Sequence, residues 1–340
     1  MTLPRLRAAR EDDLDALVSL ARRAGSGVTS LPPNPAYIAE RLHRSVEAFT
    51  HAPSRPGGEE YLFVVDEDEG VIATSAVVAR VGGFDPFYTY EIRAERVTHP
   101  PLAVDRTIDV LHLKRDHKGP TELCGLVVDP DRRGRGVGRL ASLGRLLFVA
   151  AYPERFAARI IAEIRGFQDA DGRSPFWEAV GHVFLSPSVF AEADMLTGLG
   201  EKDFIADLMP SYPIYLDLLS AEVRDVIGRP HLDAVGALHL LEGQGFVRAH
   251  EVDIFDAGPV LECATSEVKT VRTVRRARLD HLSARPVGGP CMVAVAGPPF
   301  RAMCCVAEMV EGTLAIEPAV AERLEVELGT EILIVDRGDR

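Results

Sequence analysis

The stretch VVDPDRRGRGVGRLAS, Val127 to Ser142, continues an apolar run, breaks it at Asp129 and Pro130, and then sets Arg132, Arg133, Arg135 and Arg139 among Gly134, Gly136 and Gly138. By charge alone it reads as a solvated basic turn or as a cradle for an anion. The flanks favour the cradle. ELCGLVVDP has the pattern of a short buried strand, and GRLASLGRLLFVAAY after the arginines has an apolar face at helical spacing. A helix that starts straight after a glycine-rich turn presents free backbone N–H groups and the positive end of its dipole, which together hold phosphate. The wording Arg133-x-x-Gly136-x-Gly138 is not the six-position dinucleotide fingerprint, and no acidic residue follows at the spacing that would hold a ribose. Nor is it a Walker A loop, because no Gly-Lys-Ser/Thr follows.

The rest of the chain limits what the anion is. A formal net charge of -13 over 340 residues repels nucleic acid and anionic lipid, so a small-molecule phosphate is expected and neither nucleic acid nor membrane is a partner. With 46% hydrophobic and 26% charged residues the chain is an ordinary soluble one, and its length fits about two domains. The start has no apolar core of signal-peptide length and no later run is long enough to span a bilayer, so a cytoplasmic protein is expected. Cys124, Cys263, Cys291, Cys304 and Cys305 form no C-x-x-C pair and read as reduced structural thiols. Histidines and cysteines do not cluster at ligand spacing, so no metal is expected.

Patterning gives the order of elements. LPRLRAA reads as a strand, and EDDLDALVSLARRAG as a helix with acids in its first turn that stops at Gly25. GSGVTSLPPNP is a Gly/Pro-rich loop, AYIAERLHRSVEAF a second helix, and YLFVVDEDEGVIATSAVVARV a hairpin. After the quoted turn and its helix, ARIIAEIRG reads as a strand, SPFWEAVGHVF as a short helix leading to a strand, and ALHLLEGQGFVRAHEVDIFDAGPVLEC as a helix and hairpin. These two units echo each other at Glu178 and Gly181 against Glu242 and Gly245, which fits either an internal duplication or chance. Phe176, Trp177 and Val180 share a helical face and read as core rather than as a stacking platform. The segment after Arg285 reads as short strands and one helix forming a small barrel-like appendage.

A strand ending in Asp-Pro, then R-x-x-G-x-G and a helix, after an opening of strand, helix, loop, helix and hairpin, resembles the acyl-coenzyme A pyrophosphate loop of the GNAT superfamily of acyltransferases. The resemblance implies an α+β, GNAT-type fold in which Arg133, Gly134, Arg135, Gly136, Val137 and Gly138 hold the pyrophosphate. It further implies that the strand before the loop splays from its neighbour. The backbone of Leu126, Val127 and Val128 would then pair with the pantetheine arm, one N–H polarising the thioester carbonyl.

Several segments are similar to the bacterial arginine N-succinyltransferase family: GVTSLP (27–32), DHKGPTELCGLVVDP (116–130), EIRGFQDADGRSPFWEAVG (163–181), FIADLMPSYPIYLDLL (204–219) and VDIFDAGPVLEC (252–263). The resemblance covers about residues 3 to 280, and the loop wording RRGRGVG is closer to the general superfamily signature. It implies transfer of succinyl from succinyl-coenzyme A to the α-amino group of L-arginine, with His231 in VIGRPHLDAVGA as proton donor to the leaving thiolate. A guanidinium asks for carboxylates, and Glu163, Asp169, Asp171, Asp253 and Asp256 lie in the similar segments. Glu163 is the choice, because it follows the strand that would line the acceptor cleft, although a solvent-facing strand residue fits the same pattern. Thr29 and Ser30 lie where the superfamily folds a lid and read as ligands of an α-carboxylate or as caps of the turn before Pro32. For the succinyl carboxylate Arg93, Arg96, Lys114 and Arg165 are available, and none stands out.

The expected organisation is a GNAT-like domain over residues 1–195 carrying the loop, a second GNAT-like half over 196–284 completing the acceptor site, and the appendage over 285–340. A homo-oligomer, or a hetero-oligomer with a related subunit, is expected. Two other readings stay open: one subunit of an arginine/ornithine succinyltransferase, and a non-catalytic chain that kept the fold. The intact loop speaks against the second.

Overall fold

In the computed structural model, which describes residues 3–24, 31–51, 53–83, 86–185, 203–310 and 312–336, the strand Arg5–Ala8 (β1) is buried along its whole length between two antiparallel neighbours. On one side lies Glu60–Glu67 (β2), hairpinned to Gly70–Val78 (β3). There follow the long hairpin Phe87–His99 (β4) and Val104–Asp116 (β5), the strand Thr121–Val128 (β6) that leads into the arginine loop, and Arg159–Glu163 (β7). Ile214–Tyr215 (β8), Val247–Val252 (β9) and Pro259–Ala264 (β10) complete this half. The other side holds Arg275–Leu282 (β11), Pro290–Val295 (β12), Arg301–Val306 (β13), Glu308–Val310 (β14), Thr313–Ile316 (β15) and Glu331–Asp336 (β16). Among the described residues they make one sheet in the order β14-β15-β11-β16-β12-β13-β1-β2-β3-β6-β7-β10-β9-β4-β5-β8.

Three helices position the site. Leu14–Ala24 (α1) and Pro35–Thr50 (α2) lie on one face, where Leu17, Leu20, Ile38 and Leu42 meet Leu62, Val64, Ala76 and Val127. The start of α2 is fixed by Asn34, whose side chain accepts the Tyr37 N–H at 3.1 Å, and by Pro35 at the first helical position. Val137–Ala151 (α3) lies on the opposite face and is buried nearly all round. Its Phe148 is the hub of an edge-on aromatic cluster with Phe49, Tyr61, Phe63, Phe156 and Phe300, ring centroids 4.9–5.9 Å apart. Because that cluster takes Phe300 from the turn that leads into β13, Tyr61 and Phe63 from β2 and Phe49 from α2, α3 is held by residues from both ends of the chain.

The strands, helices and hairpins expected from patterning are present, with two differences. SPFWEAVGHVF, expected as a short helix leading to a strand, is helical to its end, the helix Pro175–Ala179 being followed by the helix Gly181–Leu185 packed against it. The hairpin of β4 and β5, thirteen residues a side, drew no expectation from sequence, since its outer half is exposed and polar. Trp177 is core, 1% exposed against Phe255. All five cysteines lie on strands as free thiols. The C-terminal strands enclose a core of their own around Leu279, Val293, Leu314, Leu324 and Ile332, yet continue the same sheet through β13 and β1. At that joint the buried Asp66 accepts from Arg5 at 3.0 Å, Arg7 at 2.6 Å and Arg323 at 2.9 Å.

Candidate functional site

The site begins with a defect in β6. Between Ala76↔Cys124 and Thr74↔Val127 the partner strand advances two residues and β6 three, so β6 carries a bulge. Gly125 sits there at φ 63°, in the left-handed region that a glycine enters without cost. The extra residue shifts the alternation of side chains. Leu123 and Leu126 both turn to the α3 face, while Cys124 and Val127 turn to the α1/α2 face.

On its other edge β6 pairs in parallel with β7 only at Thr121↔Ile160 and Glu122↔Ile161. Beyond these pairs β7 continues along β10, up to Glu163↔Val260, and the two parallel strands part. The gap opens into a cavity of about 550 Å³, walled by β6 from Glu122 to Val128, the arginine loop, Arg139 and Arg145 of α3, the end of β7 from Ala162 to Arg165, and the helix Val235–Glu242. Asp253 and Asp256 line it as well, Asp256 accepting a hydrogen bond from the Gly166 N–H just beyond β7.

The loop end is built for an anion. Gly134 and Gly136 have φ of 78° and 82°, and Gly136 is the residue from which α3 starts. The left-handed requirement thus falls on Gly134 and Gly136, while Gly138 lies in the first helical turn against Val128. The arginines divide their work. Arg132 is held by Glu67 and Glu69, Arg133 reaches Asp233 across the cavity mouth at 3.6 Å, and Arg139 lines the cavity. Arg23 of α1 pairs with Asp129 at 2.8 Å and fixes the strand end from outside.

Of the residues expected from sequence, Leu126, Val127, Val128, Arg133, Gly134, Gly136, Gly138 and Glu163 all line this one cavity. Arg135 does not line it and its side chain is exposed to solvent, whereas the Val137 side chain is core, so Val137 can offer a ligand only its backbone. Asp253 and Asp256 line it as well; Asp169 is instead tied to Arg173 in an exposed turn. Arg93, Arg96 and Lys114, candidates for the succinyl carboxylate, lie on the β4–β5 hairpin, pair with Glu91 and Asp105 of that hairpin and with Glu251 of β9, and do not line the cavity, whereas Arg165 does. Thr29 and Ser30 lie outside the described residues.

His231 does not itself line the cavity; it caps the short turn Leu232–Ala234, whose Asp233 and Ala234 do. Its N–H donates to the Arg165 carbonyl at 2.8 Å, and Gly166 bridges to Pro230 beside it. Its Nδ1 accepts the Asp233 N–H at 3.1 Å, so the neutral ring carries its proton on Nε2. Partial burial, and then the Arg165 charge, hold the imidazole below its ordinary pKa, although Asp233 works the other way.

Sequence reasoning did not find Arg145, Glu122 or the helix face Gly236, Ala237 and Leu240, and it named Arg139 only as one arginine of the basic stretch. The one signal available was Arg145 itself, a cation in the middle of the apolar run SLGRLLFV.

A family model described as "Arginine N-succinyltransferase beta subunit" matches residues 4–270. The chain is 37% identical over 339 residues to the arginine N-succinyltransferase subunit beta of Pseudomonas aeruginosa, with 97% of each chain covered. It is 40% identical over 294 residues to the arginine N-succinyltransferase of Yersinia enterocolitica, with 85% of each covered. The solved structure of the arginine/ornithine succinyltransferase subunit AI from Pseudomonas aeruginosa superposes with a TM-score of 0.91 at 31% identity, covering 100% of both chains.

Proposed function

Since the chain belongs to the arginine N-succinyltransferase family, we propose that it transfers succinyl from succinyl-coenzyme A to the α-amino group of L-arginine. The observation that carries this is the single cavity that joins a phosphate-type loop, a splayed strand edge and an acidic wall.

Each feature has a task. The loop and the start of α3 receive the pyrophosphate through backbone N–H groups. The free edge of β6 after Glu122 offers its backbone to the pantetheine arm, and the Leu126 N–H polarises the thioester carbonyl. The α-amine must lose a proton to attack, since such groups have pKa values of about 7.7–8.0 in reference peptides. Glu163, Asp253 and Asp256 on the acceptor side suit a cationic amino acid and the proton it sheds. His231 offers an Nε2–H donor, the polarity that a departing thiolate asks for.

On this reading residues 1–195 hold the donor, residues 196–284 supply Asp233, the helix Val235–Glu242, Asp253 and Asp256 to the acceptor wall, and residues 285–340 brace the sheet. Thr29 and Ser30 serve as lid ligands of the α-carboxylate, and the protein works as a cytoplasmic oligomer. Ornithine is a second acceptor to consider, because the solved structure superposed above is titled an arginine/ornithine enzyme.

The test is a free-thiol assay crossing succinyl- and acetyl-coenzyme A with arginine, ornithine and lysine, run on the wild type and His231→Ala. Fast release with succinyl-coenzyme A and arginine is expected, with His231→Ala lowering turnover far more than donor affinity. Release from acetyl-coenzyme A alone rejects the donor assignment, and equal mild losses in His231→Ala reject the proton-transfer role.

A further inference from the structure

Arg145 is 2% exposed, lies midway along α3, and lines the cavity. A buried guanidinium ordinarily has a carboxylate in contact, since an uncompensated charge away from water is costly. Arg145 has none among the described residues. Its Nε donates to the Ser142 carbonyl at 3.2 Å, and its Nη1 donates to the Ala76 carbonyl at 2.9 Å and the Cys124 carbonyl at 2.8 Å. Nη2 has no hydrogen-bond partner there. Burial pushes the guanidinium pKa down to about 10, against weaker support from Cys124 and Glu122. The group therefore remains charged at neutral pH and gains from an anion that enters the cavity.

Its place selects which anion. The two carbonyls taken by Nη1 belong to Ala76 and Cys124, the paired residues at which the β6 bulge begins, and Leu126 lies two residues further on the same α3 face. An acyl group whose thioester carbonyl meets the Leu126 N–H thus has its tail near Arg145. The two methylenes of a succinyl group separate its carbonyl from its carboxylate by roughly one extended residue, about 3.5 Å. The other cavity-lining arginines are placed for other work: Arg133 and Arg139 flank the phosphate loop, and Arg165 stands beside His231.

We infer that Arg145 selects the donor by binding the free carboxylate of a dicarboxylic acyl thioester through Nη2, so that the enzyme prefers a succinyl over a neutral four-carbon acyl group. This rests on the succinyl-coenzyme A reading above and names the residue that would enforce it. Arg145 also ties the bulge together, so loss of rate alone does not separate binding from structure. The ratio of two donors does, because a distorted bulge lowers both together.

The experiment compares kcat/KM for succinyl- and butyryl-coenzyme A, with arginine as acceptor, in the wild type, Arg145→Lys and Arg145→Met, each checked for folding by thermal unfolding. Removing one member of a buried charge pair weakens it by about 30-fold or more. The succinyl preference is therefore expected to fall by at least that factor in Arg145→Met and to be partly kept in Arg145→Lys. A wild-type preference for succinyl that survives intact in folded Arg145→Met overturns the inference and leaves the succinyl-coenzyme A reading standing. A wild type with no such preference overturns both. If Arg145→Met does not fold, the wild type crystallised with a non-cleavable succinyl thioether of coenzyme A decides: the carboxylate on Arg145 Nη2 supports the assignment, and the carboxylate on Arg165 or in solvent overturns it.

Discussion

Replacing Asp256 by asparagine probes the cavity wall by an amount that the structure sets. Asp256 is 7% exposed; its Oδ2 accepts the Gly166 N–H at 2.7 Å and its Oδ1 accepts the Gly258 N–H at 2.8 Å. Burial, and then the neighbouring Asp253, hold its carboxyl well above the usual carboxylate range. In Asp256→Asn the amide keeps one acceptor oxygen and turns an NH2 toward the other backbone N–H. One buried donor then loses its partner, at a cost of about 1–3 kcal/mol. That cost is seen in full at low pH, where the wild-type carboxyl is protonated in both the folded and the unfolded chain. As pH rises past the ordinary carboxylate value of 3.8, the unfolded carboxyl ionises while the folded one resists. The wild type then loses up to about 1.4 kcal/mol per pH unit until the raised folded value is passed, and the asparagine does not titrate. Urea unfolding at pH 4.5 and pH 7.5 should show a mutant deficit that shrinks or reverses at the higher pH. A deficit that grows with pH would mean an ionised, stabilising Asp256 and would refute the reasoning. Because Gly166 bridges to Pro230, next to His231, turnover should fall in the variant while coenzyme A affinity holds.

Gly136→Asp puts a side chain at φ 82° and a carboxylate in the proposed phosphate loop; a juxtaposed like charge costs several kcal/mol, so on the proposed reading the coenzyme A Kd should rise by about 100-fold or more in calorimetry. An unchanged Kd would remove the loop from the donor site. Asp66→Asn breaks the buried joint with Arg5, Arg7 and Arg323 and should cost about 3–5 kcal/mol in chemical unfolding. Burial alone would raise the Asp66 carboxyl, but its hydrogen bonds from Arg5 and Arg7 win and hold it below the ordinary value. Its contribution is thus present above the ordinary carboxylate pKa and lost as pH falls through the lowered one, so thermal melts at falling pH should bring the wild type and Asp66→Asn together. Trp177→Ala should cost about 3–5 kcal/mol in urea; a loss under 1 kcal/mol would contradict its place in the core.

Local order was legible in the chain because it is written in neighbouring residues. The apolar run before Asp129, the glycines of RRGRGVG and the helical period after them define a strand, a turn and a helix without any distant contact. They also suffice for the proposal of an anion site, since the free N–H groups of a helix start depend on the helix alone. The same locality makes Trp177 core and the thiols structural. Segments whose state is decided by neighbours in space were misread or not read: GHVFL, which packs as a helix, and the polar β4–β5 hairpin.

Only the tertiary structure decided which side chains meet. The sequence offers Asp169, Asp253 and Asp256 beside the chosen Glu163 for a guanidinium, and Arg93, Arg96, Lys114 and Arg165 for a carboxylate, without ranking the rest, because one charge looks like another along a chain. The fold brings Asp253, Asp256 and Arg165 to one cavity with Glu163 and ties the others to partners on a turn, the β4–β5 hairpin or β9. It also makes Arg145 a cavity cation, where the local pattern shows only a cation within an apolar helical run. Helical period marks that position as buried, but burial without a carboxylate in contact depends on α3 crossing the bulge at Cys124 and Gly125 and on β7 leaving β6 after Glu122.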